Sequence, residues 1–168
     1  AAYEKNMVLL AEMLKDITQF RYIDETGMEI IRVERKRRDS EVTLINKEML
    51  QNKSHRYYFK EAMKLEKGEV WISDLDLNIE FQLIEVPHKP VIRIAAPVFK
   101  NGERKGIVIV NYFADSFLQD LCSLDFVDIF LSDERGNYIF HPDPSKQFAK
   151  DRKIDANLFS DFPFIFNI

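Results

Sequence analysis

The chain has 168 residues, 46% of them hydrophobic, with a formal net charge of −4; it can bury one sizeable core, or one domain and part of another, and is too apolar to be disordered. The acidic balance, with no dominant basic face, excludes nucleic acid as the main partner. The single cysteine, Cys122, excludes an internal disulfide and a cysteine-rich zinc site, and no run of about 18 apolar residues is present to cross a membrane.

Residues 3–20 carry Met7, Leu10, Leu14, Ile17 and Phe20 at three- and four-residue steps, which predicts an amphipathic helix. Neither a capping signal nor a signal-peptide pattern precedes it, so the parent chain is expected to continue upstream, as in a soluble piece of a membrane protein. The stripe is narrow enough either to pack on the chain's own sheet or to face a partner helix in a homodimer. Residues 21–33 alternate weakly around Asp24, Glu25, Thr26 and Gly27, predicting a hairpin whose glycine accepts positive φ. The basic run Arg35, Lys36, Arg37, Arg38 lies between Glu34 and Asp39 and reads as a solvated hairpin end. Residues 39–51 read as a polar connector.

Residues 54–78 combine arginine with Tyr57, Tyr58, Phe59 and Trp71. Aromatics of this size are as readily core as pocket wall. Arg56 lies directly against the aromatics, and a guanidinium beside ring faces needs an anion, a carbonyl or water to complete its five donors. In a closed site that is a carboxylate-binding arrangement. A helix starting at Ser54 would throw Arg56 and Tyr58 about 200° apart, whereas one starting nearer Tyr58, with Arg56 and Tyr57 extended, lets both point past its N-terminus. The favoured helix, residues 59–65, buries Phe59, Ala62, Met63 and Leu65, with Gly68 in the turn that follows.

Residues 69–73, 90–99 and 106–113 read as strands of an antiparallel sheet, with Asn101-Gly102 as a hairpin turn and Pro97 marking an edge or a bulge. Alternation sets Val91, Arg93 and Ala95 on one face of the second strand and Ile92, Ile94, Ala96 and Val98 on the other. Arg93 is then either solvent-facing or a second cation in the concavity of Arg56. Residues 115–121 read as a short helix and residues 126–140 as a further strand, turn and strand. A second module is expected to begin near Leu124, and its roughly 45 residues are too few for an independent core. The expected domains are 1–122 and 123–168. The expected fold class is α+β: an antiparallel sheet of about five strands, a long N-terminal helix along one face, a pocket on the other, and the start of a smaller module.

Asp74, Asp76, Asn78, Glu80, Gln82 and Glu85 match most positions of a calcium loop, but Ile79 stands where the sharp turn needs glycine. His55, His88 and His141 lack paired-ligand spacing, and neither a Ser-His-Asp order with a strained nucleophile turn nor a glycine-rich phosphate loop is present. No catalytic residue, metal or cofactor is expected.

Taken in order, the N-terminal helix, RYIDETGMEIIRV, KSHRYYFKEAM, GEVWIS, VIRIAAPVF and GIVIVNY resemble the Cache-type, PAS-like extracytoplasmic sensor modules of bacterial and archaeal receptors. With DIFLSDERGNYIFHPDP the order is similar to the double-Cache arrangement of a membrane-distal and a membrane-proximal module. The resemblance implies a non-catalytic, small-metabolite-sensing part, periplasmic or extracellular, of a membrane-anchored receptor such as a histidine kinase, chemoreceptor or diguanylate cyclase. It implies Arg56 and Tyr58 as ligand contacts, and Trp71, Ser73, Asp74 and Asp76 as pocket-closing residues. Asn111 stands where amino-acid-binding members carry an aspartate for the ligand's ammonium. An uncharged amide lacks that charge, which disfavours an amine and favours a small carboxylate, with Arg93 or Asn111 as a second polar contact. The alternative is a structural or dimerisation module without a small ligand. Polar groups amid the aromatics discriminate the two, because unpaired buried charge costs several kcal/mol unless a ligand or partner satisfies it.

Overall fold

In the computed structural model, which describes residues 2–80, 83–122 and 126–164, the first apolar stripe crosses two elements. Helix α1 spans Ala2–Met13, and strand β1 (Ile17–Ile23) follows after a turn. The expected helix over residues 3–20 is corrected accordingly. β-branched Ile17 and Thr18 open a run in which Ile17, Gln19, Arg21 and Ile23 share one buried face, and this period of two overrides the helical spacing that Ile17 happens to continue.

β2 (Glu29–Glu34) returns antiparallel, with Phe20 opposite Val33 and Arg21 opposite Arg32, and the turn holds Gly27 at φ 86°. Arg35 leaves the solvated run. It is buried, and its guanidinium donates to the carbonyls of Ala11 and Lys15 at and just past the end of α1, where helix carbonyls lack intrahelical partners. Next come β3 (Thr43–Leu44), a 3-10 turn at Lys47–Met49, α2 (Tyr57–Ala62) and β4 (Trp71–Ile72). Then follow β5 (Asp76–Leu77), β6 (Ile79–Glu80), β7 (Leu83–Ile84), β8 (Pro90–Lys100), β9 (Glu103–Phe113) and α3 (Asp115–Cys122). β10 (Leu131–Ser132), β11 (Tyr138–Phe140), α4 (Ala149–Arg152) and α5 (Leu158–Asp161) complete the chain.

Two compact units form: Ala1–Asp74 with Ile92–Phe113, and Leu75–Val91 with Ala114–Ile168. This division does not follow the linear cut expected at 122/123, because residues 75–91 fold with the C-terminal part. Leu124, where the second module was expected to begin, lies outside the described residues.

In the first unit the sheet runs β3-β2-β1-β9-β8-β4. Its antiparallel character is as expected, although two of its six strands have only two residues. The β8–β9 hairpin turns on Asn101 and Gly102, both at positive φ (54° and 81°), as this two-residue turn requires. On one face Met7, Val8 and Ala11 of α1 pack against Phe20, Ile31 and Val33. On the other, Tyr58, Phe59 and Ala62 of α2 pack against Ile23, Ala95, Ile107 and Ile109. The sheet is thus sandwiched between a helix on each face, and α2 covers the face that carries buried polar residues.

In the second unit β5 pairs with Pro90 and Val91, and β6 pairs with β7. Leu77 packs with Leu118 of α3 and Phe148, while the Leu77 amide donates to Asp151. The β10–β11 hairpin brings Tyr138 against Ala149 and Ala156. Among the described residues no helix is long and apolar enough to cross a membrane.

Candidate ligand-binding site

The site grows from the N-terminus of α2. Arg56 is the N-cap, in extended conformation (φ −74°, ψ 140°), and the helix begins at Tyr57. Tyr57 is therefore helical rather than extended, and one helical step separates it from Tyr58. Tyr57 is 43% exposed while Tyr58 is 2% exposed, because the 100° step turns one ring outward and the other onto the sheet.

Three guanidiniums surround the Tyr58 ring: Arg21, Arg56 and Arg93, at 5.3, 5.5 and 5.7 Å from its centroid. Arg93 is 1% exposed, so the solvent-facing alternative for it does not hold. Its side chain lies on the buried Val91–Ala95 parity of β8, and its Nη1 donates to Tyr57 Oη at 3.3 Å. Tyr57 in turn meets Tyr58 and half-buried Trp71 edge to face, at 5.7 and 5.8 Å. Ser73 accepts from the Arg93 amide at 2.8 Å and donates to the Asp74 carbonyl, fixing β8 against the segment after β4. The Asp74 side chain faces solvent, and Asp76 lies in β5 of the second unit.

Beneath Tyr58 lies a polar floor on β1, β2 and β9. Arg21 Nη1 donates to Tyr58 Oη at 3.2 Å and Nη2 to Asn111 Oδ1 at 2.7 Å, and Asn111 Nδ2 donates to Gln19 Oε1. Buried Glu29 stands 3.7 Å from Arg21 Nη1 through Oε1, and its Oε2 accepts from the Gln51 amide at 3.0 Å. Arg32 pairs with Glu34 at 2.6 Å, and its Nη1 lies 3.9 Å from Glu29 Oε2. Asn111 is thus tied into the floor through Arg21. Arg56 differs from its neighbours: among the described residues its guanidinium has no hydrogen bond or ion pair, only the ring beneath it.

Arg21 and Glu29 are absent from the residues expected from sequence. Their signal was parity: in β1, Gln19 and Arg21 fall on the same face as Ile17 and Ile23, so a buried apolar face carries an amide and a cation with no evident reason in packing. Among the described residues no group of histidine, cysteine or carboxylate side chains could hold a metal ion; Gln82 of the calcium-like spacing lies outside the described residues.

The sequence profile of the bacterial histidine kinase sensor domain matches residues 2–165. The chain belongs to that family. The sensor domain resembles the solved extracellular domain of vpHK1S-Z8, described as a histidine kinase, at 25% identity and TM-score 0.84, over 99% of this chain and 60% of that one. A domain assigned to a sensory box/GGDEF family protein of Vibrio parahaemolyticus superposes with TM-score 0.85 at 24% identity, over 99% and 63% of the two chains. The ligand-binding domain of the Campylobacter jejuni chemoreceptor Tlp3, solved with 4-methylisoleucine, shares the fold at 13% identity and TM-score 0.58, over 84% and 50%. The sensor domain therefore spans about 60% of the length of the first two solved domains. No curated protein sequence matches it. The Cache-like α+β fold inferred from the order of motifs is the fold these structures share.

Proposed function

We propose that this sensor domain is the ligand-binding part, outside the cytoplasm, of a membrane-anchored bacterial signalling receptor, and that it binds a small carboxylate through Arg56. The observation that carries this reading is the ring of three guanidiniums around Tyr58, of which Arg56 alone has no hydrogen-bonded or ionic partner among the described residues. A half-buried cation beside two others is stabilised by an anion, and the guanidinium fork matches a carboxylate in charge and planar geometry. Tyr58 and Arg93 frame the site, Trp71 forms a wall, and Ser73 positions Arg93; Asn111 acts through Arg21. Asp74 remains a candidate for closing the site. Signal transfer and weak self-association are assigned to α1, whose Tyr3, Leu9, Leu10 and Met13 are exposed.

The test is a thermal-shift screen of small carboxylates, amines and neutral metabolites on the wild type and Arg56→Ala. A ligand at a hundredfold its dissociation constant stabilises the native state by about 2.7 kcal/mol, or roughly 5–10 °C in a chain of this size. The expected result is a carboxylate hit lost in Arg56→Ala. A hit that shifts both proteins equally removes the role of Arg56, and hits confined to amines overturn the carboxylate assignment.

A further inference from the structure

Each side of the Arg21–Glu29 pair has a buried atom without a hydrogen bond among the described residues. Arg21 spends Nη1 on Tyr58 and Nη2 on Asn111, and its Nε has no hydrogen-bond partner among the described residues. Glu29 spends Oε2 on the Gln51 amide, while Oε1 has no hydrogen-bond partner and stands 3.7 Å from Arg21 Nη1. Both side chains are inaccessible to bulk water, at 2% and 0% exposure, and leaving such groups unpaired is costly.

The pair is already neutral overall, so it lacks a group that can donate to an oxygen and accept from a nitrogen. An ammonium only donates, and it adds a cation beside Arg21. A carboxylate only accepts, and it adds an anion beside Glu29. A hydroxyl does both without charge. Arg21 and Arg56 border the same ring, at 5.3 and 5.5 Å from the Tyr58 centroid.

We infer that the ligand is a hydroxycarboxylic acid, its carboxylate on Arg56 and its hydroxyl on the Arg21–Glu29 pair, donating to Glu29 Oε1 and accepting from Arg21 Nε. This rests on the reading of Arg56 as the carboxylate anchor. Glu29 is the specificity-determining residue: it selects for the hydroxyl, while Arg56 supplies the charge that holds the acid.

The experiment is calorimetric titration of the 168-residue chain with two matched trios: lactate, alanine and propionate, and malate, aspartate and succinate. In at least one trio the hydroxy acid binds about tenfold or more tightly than its deoxy and amino counterparts, as a site built to hydrogen-bond a hydroxyl rejects analogues that lack it. Glu29→Gln replaces a charge-assisted acceptor with a neutral one and reduces that preference several-fold. If Glu29→Gln fails to fold, the double variant Arg21→Gln with Glu29→Gln removes both charges while keeping a donor for Asn111 and an acceptor for the Gln51 amide, and loses the preference for hydroxy over deoxy acids. Equal binding of hydroxy and deoxy acids, or a preference for the amino acids, overturns this inference while loss of binding in Arg56→Ala leaves the carboxylate reading standing. Binding indifferent to Arg56→Ala, or no binding in either trio, overturns both.

Discussion

Tyr58 shows how far single residues could be read from the sequence. The run Arg56-Tyr57-Tyr58-Phe59 announces itself, because a cation beside three aromatics needs a counter-group, and the structure sets Arg56 and Tyr58 in contact. Arg21 and Glu29 do not announce themselves: each sits in a hairpin strand of ordinary composition, and only the burial of its face makes its charge costly. Tyr138, in the second unit, carries a testable consequence of the same kind. Its burial, with the hydrogen bond to Asp161 and that carboxylate's charge, pushes its hydroxyl up to about 12. The folded-state value lies above the unfolded one of about 10, so the native state keeps a proton that the unfolded chain releases. The stabilisation is fully present below about pH 10 and is lost as pH rises from there towards about 12. Urea midpoints should fall across that window in the wild type and fall less in Tyr138→Phe; identical slopes would show that Tyr138 is not the group responsible.

Elements were legible where one period held, and misread where two coincided. The β8–β9 hairpin follows from Asn101-Gly102 and the alternation around it, whereas Ile17 continues a helical spacing while opening a strand, and only its pairing opposite Tyr112 decides the matter. The boundaries of α2 and β4 were misplaced by a few residues because ends are set by tertiary partners. Two glycines separate local conformation from close approach. Gly102 has positive φ and open space around it, so Gly102→Ala should cost about 1–2 kcal/mol, the penalty of a left-handed alanine. Gly106, at φ 122° on β9, has the Ile23 carbonyl oxygen 2.0 Å and the Asp24 Cα 2.7 Å from where a Cβ would stand. Neither is the yielding end of a flexible side chain. Gly106→Ala must therefore part β9 from the end of β1, and should cost roughly 2–4 kcal/mol once strain is added to conformation. Denaturant titration of the two variants checks the order; equal losses would show that β1 can shift freely.

Across the whole molecule the order of elements was enough to suggest the family, while the division into units was not legible, because residues 75–91 join the C-terminal part through contacts distant in sequence. The same distinction bears on self-association. Of the stripe expected on α1, Met7 packs on the sheet, beside Ala11, while Leu10 stays exposed, as do Tyr3, Leu9 and Met13 outside that stripe. Those outward residues form the surface proposed for a second copy of the chain. A helix of 12 residues is only about 18 Å long, and its outer face offers far less than the roughly 800 Å² per partner of a stable complex. The expected dimer of this chain is therefore weak, with a dissociation constant of about 0.1 mM or above, where binding free energy is near 5 kcal/mol. Sedimentation velocity over a concentration series should show reversible dimerisation, and Leu10→Lys with Met13→Glu should weaken it at least tenfold without lowering the melting temperature, since neither side chain is in the core. A strictly monomeric chain at millimolar concentration, or a dimer unaffected by the two substitutions, removes α1 as the contact surface.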